Sequence, residues 1–209
     1  MLYMLYMSGR VYEIFSGVLG YLLTRSYVPI RKMHRFFIAL IPPQHILDYV
    51  NHVKQHFADN YNSRGALKSP PHITLQPPFE WDEASVTQLE QYLKNFVSSR
   101  AAVSVTLNQY GAFPPRVIYI DVLKTPELKA LQSDLMTFME SIGICCPNSN
   151  RPFVPHMTVA FRDLTKHNFE VAWQEFEHRQ INFEFIADNI FLLLHDGKRW
   201  NVSSQFQVN

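Results

Sequence analysis

The pattern of apolar and polar residues predicts a domain in which strands and helices alternate. Apolar runs rich in β-branched and aromatic residues predict strands over residues 35–41, 72–76, 103–110, 116–122, 156–161, 181–194 and 198–208. Apolar residues that recur every three or four positions predict helices over residues 44–61, 83–99, 126–142 and 165–176. Proline pairs at residues 42–43 and 77–78 are expected to end the first two of these strands.

The predicted order of elements occurs twice. A strand, helix, loop, short strand, helix and strand are followed by the same series from residue 116 onward. Phe36 precedes His72 by 36 residues, and Val117 precedes His156 by 39. We therefore expect a bilobal α+β fold, with two pseudo-symmetric lobes around a central cleft. A single α+β domain with a coincidental order of elements is the alternative.

A short motif occurs at the same place in each repeat. The sequence Pro-His-Ile-Thr at residues 71–74 returns as Pro-His-Met-Thr at residues 155–158. Because residues two apart in a strand point to the same face, His72 projects with Thr74, and His156 with Thr158. Two imidazoles can take and give a proton near neutral pH, and two hydroxyls can donate to phosphate oxygens. Two ordinary strands that each follow a Pro-His turn are the structural alternative.

Other side chains near these motifs are candidates for substrate contacts. The candidate phosphate ligands are Arg151, Arg162 and Arg116. The candidates for stacking on a base are Phe153, Phe113 and Tyr110. Exposed or structural arginines and core aromatic residues are the alternatives for these two sets.

Composition excludes several classes of protein. The chain has 209 residues, of which 47% are hydrophobic and 18% charged, so it can bury a core and is not a disordered chain. A net charge of +1 does not fit an extended nucleic-acid surface, although a nucleotide or one RNA end remains compatible. Cys145 and Cys146 are the only cysteines, so we expect reduced thiols, a cytoplasmic location, no zinc site and no cofactor. His52 and His56 are four apart on a predicted helix, where a solvated face is a simpler interpretation than a metal site.

Residues 1–32 differ from the rest of the chain. They are rich in apolar residues, but their longest central uncharged stretch has 11 residues (14–24), too few to span a bilayer. The segment is expected to be a weak interfacial helix or a loosely docked extension, outside the catalytic core and dispensable for chemistry. Translation could begin at Met33, where the predicted domain of residues 33–209 starts.

The residues around the two motifs resemble a known superfamily. Residues 71–75, 111–117 and 151–159 are similar to the two-histidine phosphoesterases, which include 2′-5′ RNA ligase and RNA cyclic phosphodiesterase proteins. The resemblance covers about residues 33–209 and implies two antiparallel-sheet lobes with outer helices. It also implies metal-independent cleavage of a phosphodiester, typically a 2′,3′-cyclic phosphate. In one departure, Phe161 occupies a place that is often basic in the RNA cyclic phosphodiesterases, and Arg162 follows it.

Three functions are compatible with the sequence. The first is a monomeric phosphodiesterase acting on a 2′,3′-cyclic phosphate or an RNA 2′-5′ linkage. The family pattern would make His156 the base and His72 the acid, although the reverse reaction exchanges these roles. The second is a module that binds a nucleotide in the same cleft without cleaving it. The third is a membrane-surface adaptor that uses residues 1–32.

Overall fold

The computed structural model describes residues 31–144 and 152–208 in full, and the backbone of residues 2–7, 10–15 and 22–25. The chain divides into two compact units, Met1–Lys32 and Met33–Asn209. The first unit contains an antiparallel sheet of strands β1 (Leu2–Met7), β2 (Arg10–Phe15) and β3 (Leu22–Arg25). An interfacial helix in this segment was therefore a wrong expectation. That the segment is dispensable for chemistry stays a prediction.

The described residues of the second unit form eight strands and four α-helices in the predicted order. The first series consists of β4 (Met33–Leu40), α1 (Gln44–Asn60), β5 (Ile73–Asp82), α2 (Val86–Val97) and β6 (Val103–Phe113). The second series consists of β7 (Val117–Val122), α3 (Pro126–Ser141), β8 (His156–Ala160), α4 (Lys166–Phe176), β9 (Asn182–Ala187), β10 (Asn189–His195) and β11 (Trp200–Gln207). Threonine side chains cap α3 and α4, since Thr125 accepts from the Leu128 amide and Thr165 from the Asn168 amide.

The strands form two four-stranded antiparallel sheets, which confirms the predicted bilobal α+β fold. One sheet has the order β11-β10-β4-β5 and the other β8-β7-β6-β9. The two repeats are interlocked, because β6 from the first repeat pairs with β7, and β10 from the second pairs with β4. Helix α1 packs against β8, and α3 against β5, so each repeat covers the motif strand of the other.

The prediction that Pro77 and Pro78 end the first motif strand is wrong. Strand β5 continues through both prolines to Asp82. It is the edge strand of its sheet, so a residue without an amide hydrogen interrupts only one ladder. The pairing with β4 also shifts register between Phe36 and Ile38, opposite the prolines.

The predicted strand region over residues 181–194 is divided into two strands. Strand β9 pairs with β6 in the second sheet, whereas β10 pairs with β4 in the first. The chain changes sheets at Asp188, whose carbonyl accepts from the Val208 amide. The continuous apolar pattern could not reveal this division, because both strands bury alternate residues.

A large core lies between the helices and the sheets. Its buried side chains come from all four helices and from both sheets. A second, smaller cluster of Phe37, Ala39 and Leu193 lies apart from this core, with Ile41, Phe191 and Trp200 packed against it. None of the helices that the structure describes is long and apolar enough to cross a membrane.

Candidate active site

The two motif strands meet where the lobes meet. Strand β5 is an edge strand of the first sheet, β8 is an edge strand of the second, and the two contact each other. His72 directly precedes β5, and His156 is the first residue of β8. The structure therefore brings together two histidines that are 84 positions apart in the sequence.

A cavity of about 330 Å³ lies at this junction. From the motifs, His72, Thr74 and Thr158 line it. His156 does not line it; its ring packs against Phe113 at 5.2 Å and Tyr119 at 5.1 Å, measured between centroids. The two imidazoles are nevertheless close enough for the charge of His156 to act on His72. The volume is within the range of pockets that hold one small ligand.

Each imidazole is held by an equivalent hydrogen bond to a backbone carbonyl. His72 Nδ1 lies 2.7 Å from the Pro70 carbonyl oxygen, and His156 Nδ1 lies 2.7 Å from the Val154 carbonyl oxygen. A carbonyl only accepts, so Nδ1 donates in each ring, and in a neutral ring Nε2 is left as the basic nitrogen. The repeated motif thus fixes the tautomer and the orientation of both rings.

Burial lowers the pKa of both histidines. Burial is the main reason that the His72 pKa falls to about 4; the hydrogen bond to Pro70 opposes this, while Lys54 and His156 lower the pKa further. Burial also lowers the His156 pKa, but the Val154 hydrogen bond and the charge of Asp121 oppose it. Both rings are therefore mainly neutral at pH 7 in the free protein, and a bound phosphate would favour protonation of one of them.

Arg162 reaches the cavity from a strained turn after the second motif. Its φ angle is +63°, and the Asp163 amide donates to the Phe161 carbonyl at 2.8 Å, which closes a γ-turn around Arg162. Arg162, Phe161 and Asp163 all line the cavity. Phe161, at which the sequence departs from the family pattern, is the first residue of this turn. The turn nevertheless directs the Arg162 side chain to the cavity.

Asp163 joins this turn to the loop before the first motif. Its carboxylate accepts from the Arg64 amide at 2.8 Å, the Gly65 amide at 3.2 Å and the Ser63 hydroxyl at 3.0 Å. A Cβ atom at Gly65 would lie 2.9 Å from the Phe161 carbonyl oxygen, so only glycine allows this approach. The two loops that carry cavity residues from the two repeats are thereby connected.

The cavity is positively charged. Four cationic side chains line it: Arg35, Lys68, Arg162 and Lys198. Among the described lining residues, the only carboxylate is Asp163, and backbone amides already occupy its oxygens. An anion is therefore the ligand that this surface favours.

Four of the other predicted contact residues lie outside the cavity. Arg116 is exposed in the turn between β6 and β7, and Phe153 is half-buried against the core. Phe113 is 40% exposed beside His156. Tyr110 is only 4% exposed, and its hydroxyl lies 3.1 Å from that of Tyr49, so it belongs to the core. Arg151 and both cysteines are outside the described residues.

Sequence analysis missed several residues of the site. Trp200 and Phe37 line the cavity with ring centroids 4.7 Å apart, and Phe37 lies 4.7 Å from the His72 ring. Lys54 is 1% exposed and acts on His72 from helix α1. The helical period could have revealed Lys54, since it follows Val50 by four and precedes Phe57 by three, on the buried face.

No three His, Cys, Asp or Glu side chains cluster in a way that could hold a metal ion, within residues 31–144 and 152–208. His52 and His56 do not share such a site. His52 Nδ1 lies 2.9 Å from the Asp48 carbonyl oxygen, and His56 Nε2 lies 3.1 Å from a Glu175 carboxylate oxygen. The first contact lies within α1, and the second joins α1 to α4.

Solved structures of distant sequence have the same fold as this chain. The crystal structure of Escherichia coli LigT with 3′-AMP matches with a TM-score of 0.61 and 19% identity, covering 85% of this chain and 99% of LigT. The Thermus thermophilus protein TT0787 matches with a TM-score of 0.60 and 18% identity, covering 83% of this chain and 97% of TT0787. These likenesses support the two-lobed fold.

Sequence relatives and a family model agree with that fold. A Geobacillus sp. (strain WCH70) protein named "Putative phosphoesterase" is 29% identical over 178 residues, which cover 83% of this chain and 96% of the relative. A similarly named protein of Staphylococcus epidermidis (strain ATCC 12228) is 29% identical over 175 residues, covering 82% and 97%. The model of the 2′-5′ RNA ligase superfamily matches residues 42–199, which include both His-x-Thr motifs. The chain therefore belongs to the 2′-5′ RNA ligase superfamily.

Proposed function

We propose that this protein is a phosphodiesterase that opens a 2′,3′-cyclic phosphate, or cleaves an RNA 2′-5′ linkage, by general acid–base catalysis with His72 and His156. The observation that carries the proposal is the matched pair of motifs. Each presents an imidazole with Nδ1 held by a carbonyl and Nε2 left as the basic nitrogen, and a hydroxyl on the same strand face. Superfamily membership and the names of the relatives support phosphoesterase chemistry.

The reaction we propose is an in-line displacement at phosphorus. One neutral imidazole takes a proton from water, whose oxygen forms a new bond to phosphorus. The bond from phosphorus to one ribose oxygen breaks, and the second imidazole, protonated, gives that oxygen its proton. Thr74 and Thr158 donate to the non-bridging oxygens, and Arg162 balances their growing charge. Run in reverse with a ribose hydroxyl as nucleophile, the same groups would join two RNA ends.

The cavity also suits the nucleoside part of such a substrate. Phe37 and Trp200 form an aromatic wall beside His72, on which a base could stack. Crystal structures of LigT contain 3′-AMP, ATP, NADP+ or phosphate, so a cleft of this fold holds nucleotides in that protein. We propose a nucleotide or an RNA end as the substrate, with Arg35, Lys68 and Lys198 available for further phosphates.

The test is hydrolysis of the four nucleoside 2′,3′-cyclic monophosphates and a 2′-5′ dinucleotide in the presence of a chelator. Phosphorus NMR would identify the position of the product phosphate. We expect turnover, and a loss of about 10²–10⁴-fold in kcat for His72→Ala and for His156→Ala. His167→Ala, at an exposed helix position, is the matched control. Tight nucleotide binding without any product would instead indicate a binding module.

The same assay tests the boundary of the catalytic unit. We propose that residues 33–209 carry the whole activity, since they contain the cavity and both motifs. A chain that starts at Met33 should keep the kcat and KM of the full chain. A chain that folds but loses turnover would show that residues 1–32 take part.

A further inference from the structure

The two halves of the site differ at two places outside the motifs. The sequences of helices α1 and α3 can be aligned with an offset of 82 residues. This alignment matches buried residues with buried residues: Ile46 with Leu128, Val53 with Leu135, and Phe57 with Met139. With this offset, Lys54 corresponds to Met136. The strand that pairs with each motif strand differs as well. Leu40 pairs with Ile73, and Ile120 pairs with Met157, the equivalent residue of the second motif. Ile41 therefore corresponds in sequence to Asp121, which pairs with His156. One histidine thus has a lysine as neighbour and the other an aspartate.

The lysine is buried beside His72. Lys54 is 1% exposed, and its Nζ donates to the Ser69 carbonyl at 3.0 Å. Pro70 follows Ser69, and its carbonyl accepts from His72 Nδ1. The ammonium of Lys54 and the imidazole of His72 therefore donate to consecutive carbonyls of one loop. No carboxylate forms an ion pair with Lys54 in the part of the chain that the structure describes. Its charge therefore acts on His72 with little compensation.

The aspartate faces His156. Asp121 and His156 are paired residues of the antiparallel strands β7 and β8, and the side chains of paired residues lie on the same face about 5 Å apart at Cβ. Tyr119 and Thr158 form the next pair on this face. Asp121 can therefore stabilise a positive charge on His156. The pairing of β4 with β5 ends at Leu40 and Ile73, and one more residue in this register would place the apolar Ile41, rather than an acid, opposite His72.

We infer that Lys54 and Asp121 assign opposite roles to the two imidazoles: His72 is the base and His156 is the acid. This inference rests on the proposed function. Lys54 keeps the His72 ring neutral, so that Nε2 can take the proton from water as the oxygen–phosphorus bond forms. Asp121 favours protonation of His156, so the proton that a bound phosphate draws to the site resides on this ring. His156 then gives that proton to the ribose oxygen as the bond from this oxygen to phosphorus breaks. Lys54 and Asp121 are positioning residues, since they act through the histidines.

The charges around the two rings agree with this assignment in direction. Burial lowers the pKa of His72 to about 4 and Lys54 adds to that lowering, whereas at His156 burial lowers the pKa and Asp121 opposes it. The pKa of Lys54 is about 7, so its charge is present below pH 7, the range in which His72 would otherwise take up a proton. The other ionisable groups of the cavity are Arg35, Lys68, Arg162, Asp163, His195 and Lys198. The assignment is the reverse of the one that the family pattern suggested.

A pair of substrates with different leaving groups separates acid from base. Opening of a nucleoside 2′,3′-cyclic phosphate expels a ribose alkoxide, which needs a proton. Thymidine 3′-(4-nitrophenyl phosphate) expels a phenolate that is stable without one. We expect His156→Ala to lose at least about 100-fold in kcat on the cyclic ester but less than about tenfold on the aryl ester. His72→Ala should lose at least about 100-fold on both. The opposite pattern would overturn the assignment.

Direct titration of both histidines tests the two positioning residues without any turnover. We would follow the ring resonances by NMR in the full chain, in wild type, Lys54→Met and Asp121→Asn. Lys54→Met, which introduces the residue of the second repeat, should raise the pKa of His72 by about one pH unit and leave His156 unchanged. Asp121→Asn should lower only that of His156. Equal shifts at both histidines, or none, would overturn the inference.

The two experiments separate this inference from the proposed function. If wild-type protein cleaves neither ester nor the 2′-5′ dinucleotide, the phosphodiesterase proposal fails, and the NMR titration still decides whether Lys54 and Asp121 act on different rings. If both esters are cleaved and the leaving-group pattern is reversed, the function stands and the assignment of roles fails.

Discussion

Lys54 should make the stability of this protein rise with pH, and replacing it should remove that dependence. The side chain is buried on α1 and has a backbone carbonyl as its hydrogen-bond acceptor. Burial lowers its pKa from an ordinary 10.5 to about 7. Between these two values the unfolded chain binds a proton that the folded chain has released, so the free energy of unfolding increases with pH across this window.

The size of the effect follows from the two pKa values. A difference of 3.5 pH units (10.5 minus 7) corresponds to about 5 kcal/mol of lost stability well below pH 7, where both states are protonated. The same linkage leaves about 4 kcal/mol at pH 7 and about 1.5 kcal/mol at pH 9.5. Lys54→Met has no such group. The difference in unfolding free energy between Lys54→Met and wild type should therefore shrink by about 3 kcal/mol from pH 7 to pH 9.5.

Urea unfolding at pH 7, 8, 8.8 and 9.5, followed by circular dichroism, measures this difference. Groups that titrate equally in both proteins cancel, and the offset from methionine packing does not depend on pH. Lys129→Met removes the same charge from an exposed position of α3 and serves as the control. A constant gap between Lys54→Met and wild type across the range would show that Lys54 keeps an ordinary pKa, and it would contradict the burial on α1 of an ammonium without a carboxylate partner among the described residues.

Four further substitutions test the site. Thr158→Val, which removes a hydroxyl donor without changing shape, should lower kcat by about 10²-fold while the melting temperature changes little, and an unchanged kcat would exclude Thr158 from the reaction. Arg162→Gly should lower kcat/KM by at least about tenfold, because it removes a cationic side chain from the cavity. It should change the free energy of unfolding by less than about 1 kcal/mol, since glycine adopts the positive φ of this position freely. Strong destabilisation would show that the backbone at Arg162 is not strained. Trp200→Leu should raise KM about tenfold for nucleoside cyclic phosphates but not for bis(4-nitrophenyl) phosphate, which has no base; a parallel rise in both KM values would argue against stacking. Gly65→Ala should destabilise the fold by about 1–3 kcal/mol in urea unfolding, because its Cβ would meet the Phe161 carbonyl at 2.9 Å, and full stability would mean that the two loops separate easily.

Most of the fold follows from periodicity along the chain. The apolar positions of α1 at Ile46, Val50, Val53 and Phe57 are buried as their spacing predicts. What periodicity could not supply was the pairing of strands far apart in sequence. It did not show that β9 and β10 belong to different sheets, because sheet membership depends on hydrogen bonds to β6 and β4. Nor did it show that β5 passes Pro77 and Pro78, which only an edge strand tolerates.

The site was predictable only where a residue lies in the repeated motif. The motif located both histidines and both threonines, because strand geometry orients them locally. Arg162 was named as a candidate, but its path into the cavity depends on a γ-turn that no local pattern announced. Trp200 comes from the end of the chain and reaches His72 through Phe37, a contact made by the sheet order β11-β10-β4-β5. Such contacts arise from topology and leave no signal in neighbouring residues.

A two-histidine site needs asymmetry, and the motif itself supplies none. The His-x-Thr pattern and the Nδ1 bond to a carbonyl two residues earlier occur in both lobes, so the motif alone gives two imidazoles of equal character. Acid–base catalysis requires one neutral ring and one protonated ring at the same pH. The difference must therefore come from residues that the two-fold relation does not preserve. Among residues 31–144 and 152–208, Lys54 and Asp121 act on the histidines and break the relation, and they differ in the sign of their charge. A double substitution, Lys54→Met with Asp121→Ile, gives both rings the surroundings of the opposite repeat. It should bring the two histidine pKa values closer together, and a gap as wide as in wild type would show that the asymmetry arises elsewhere.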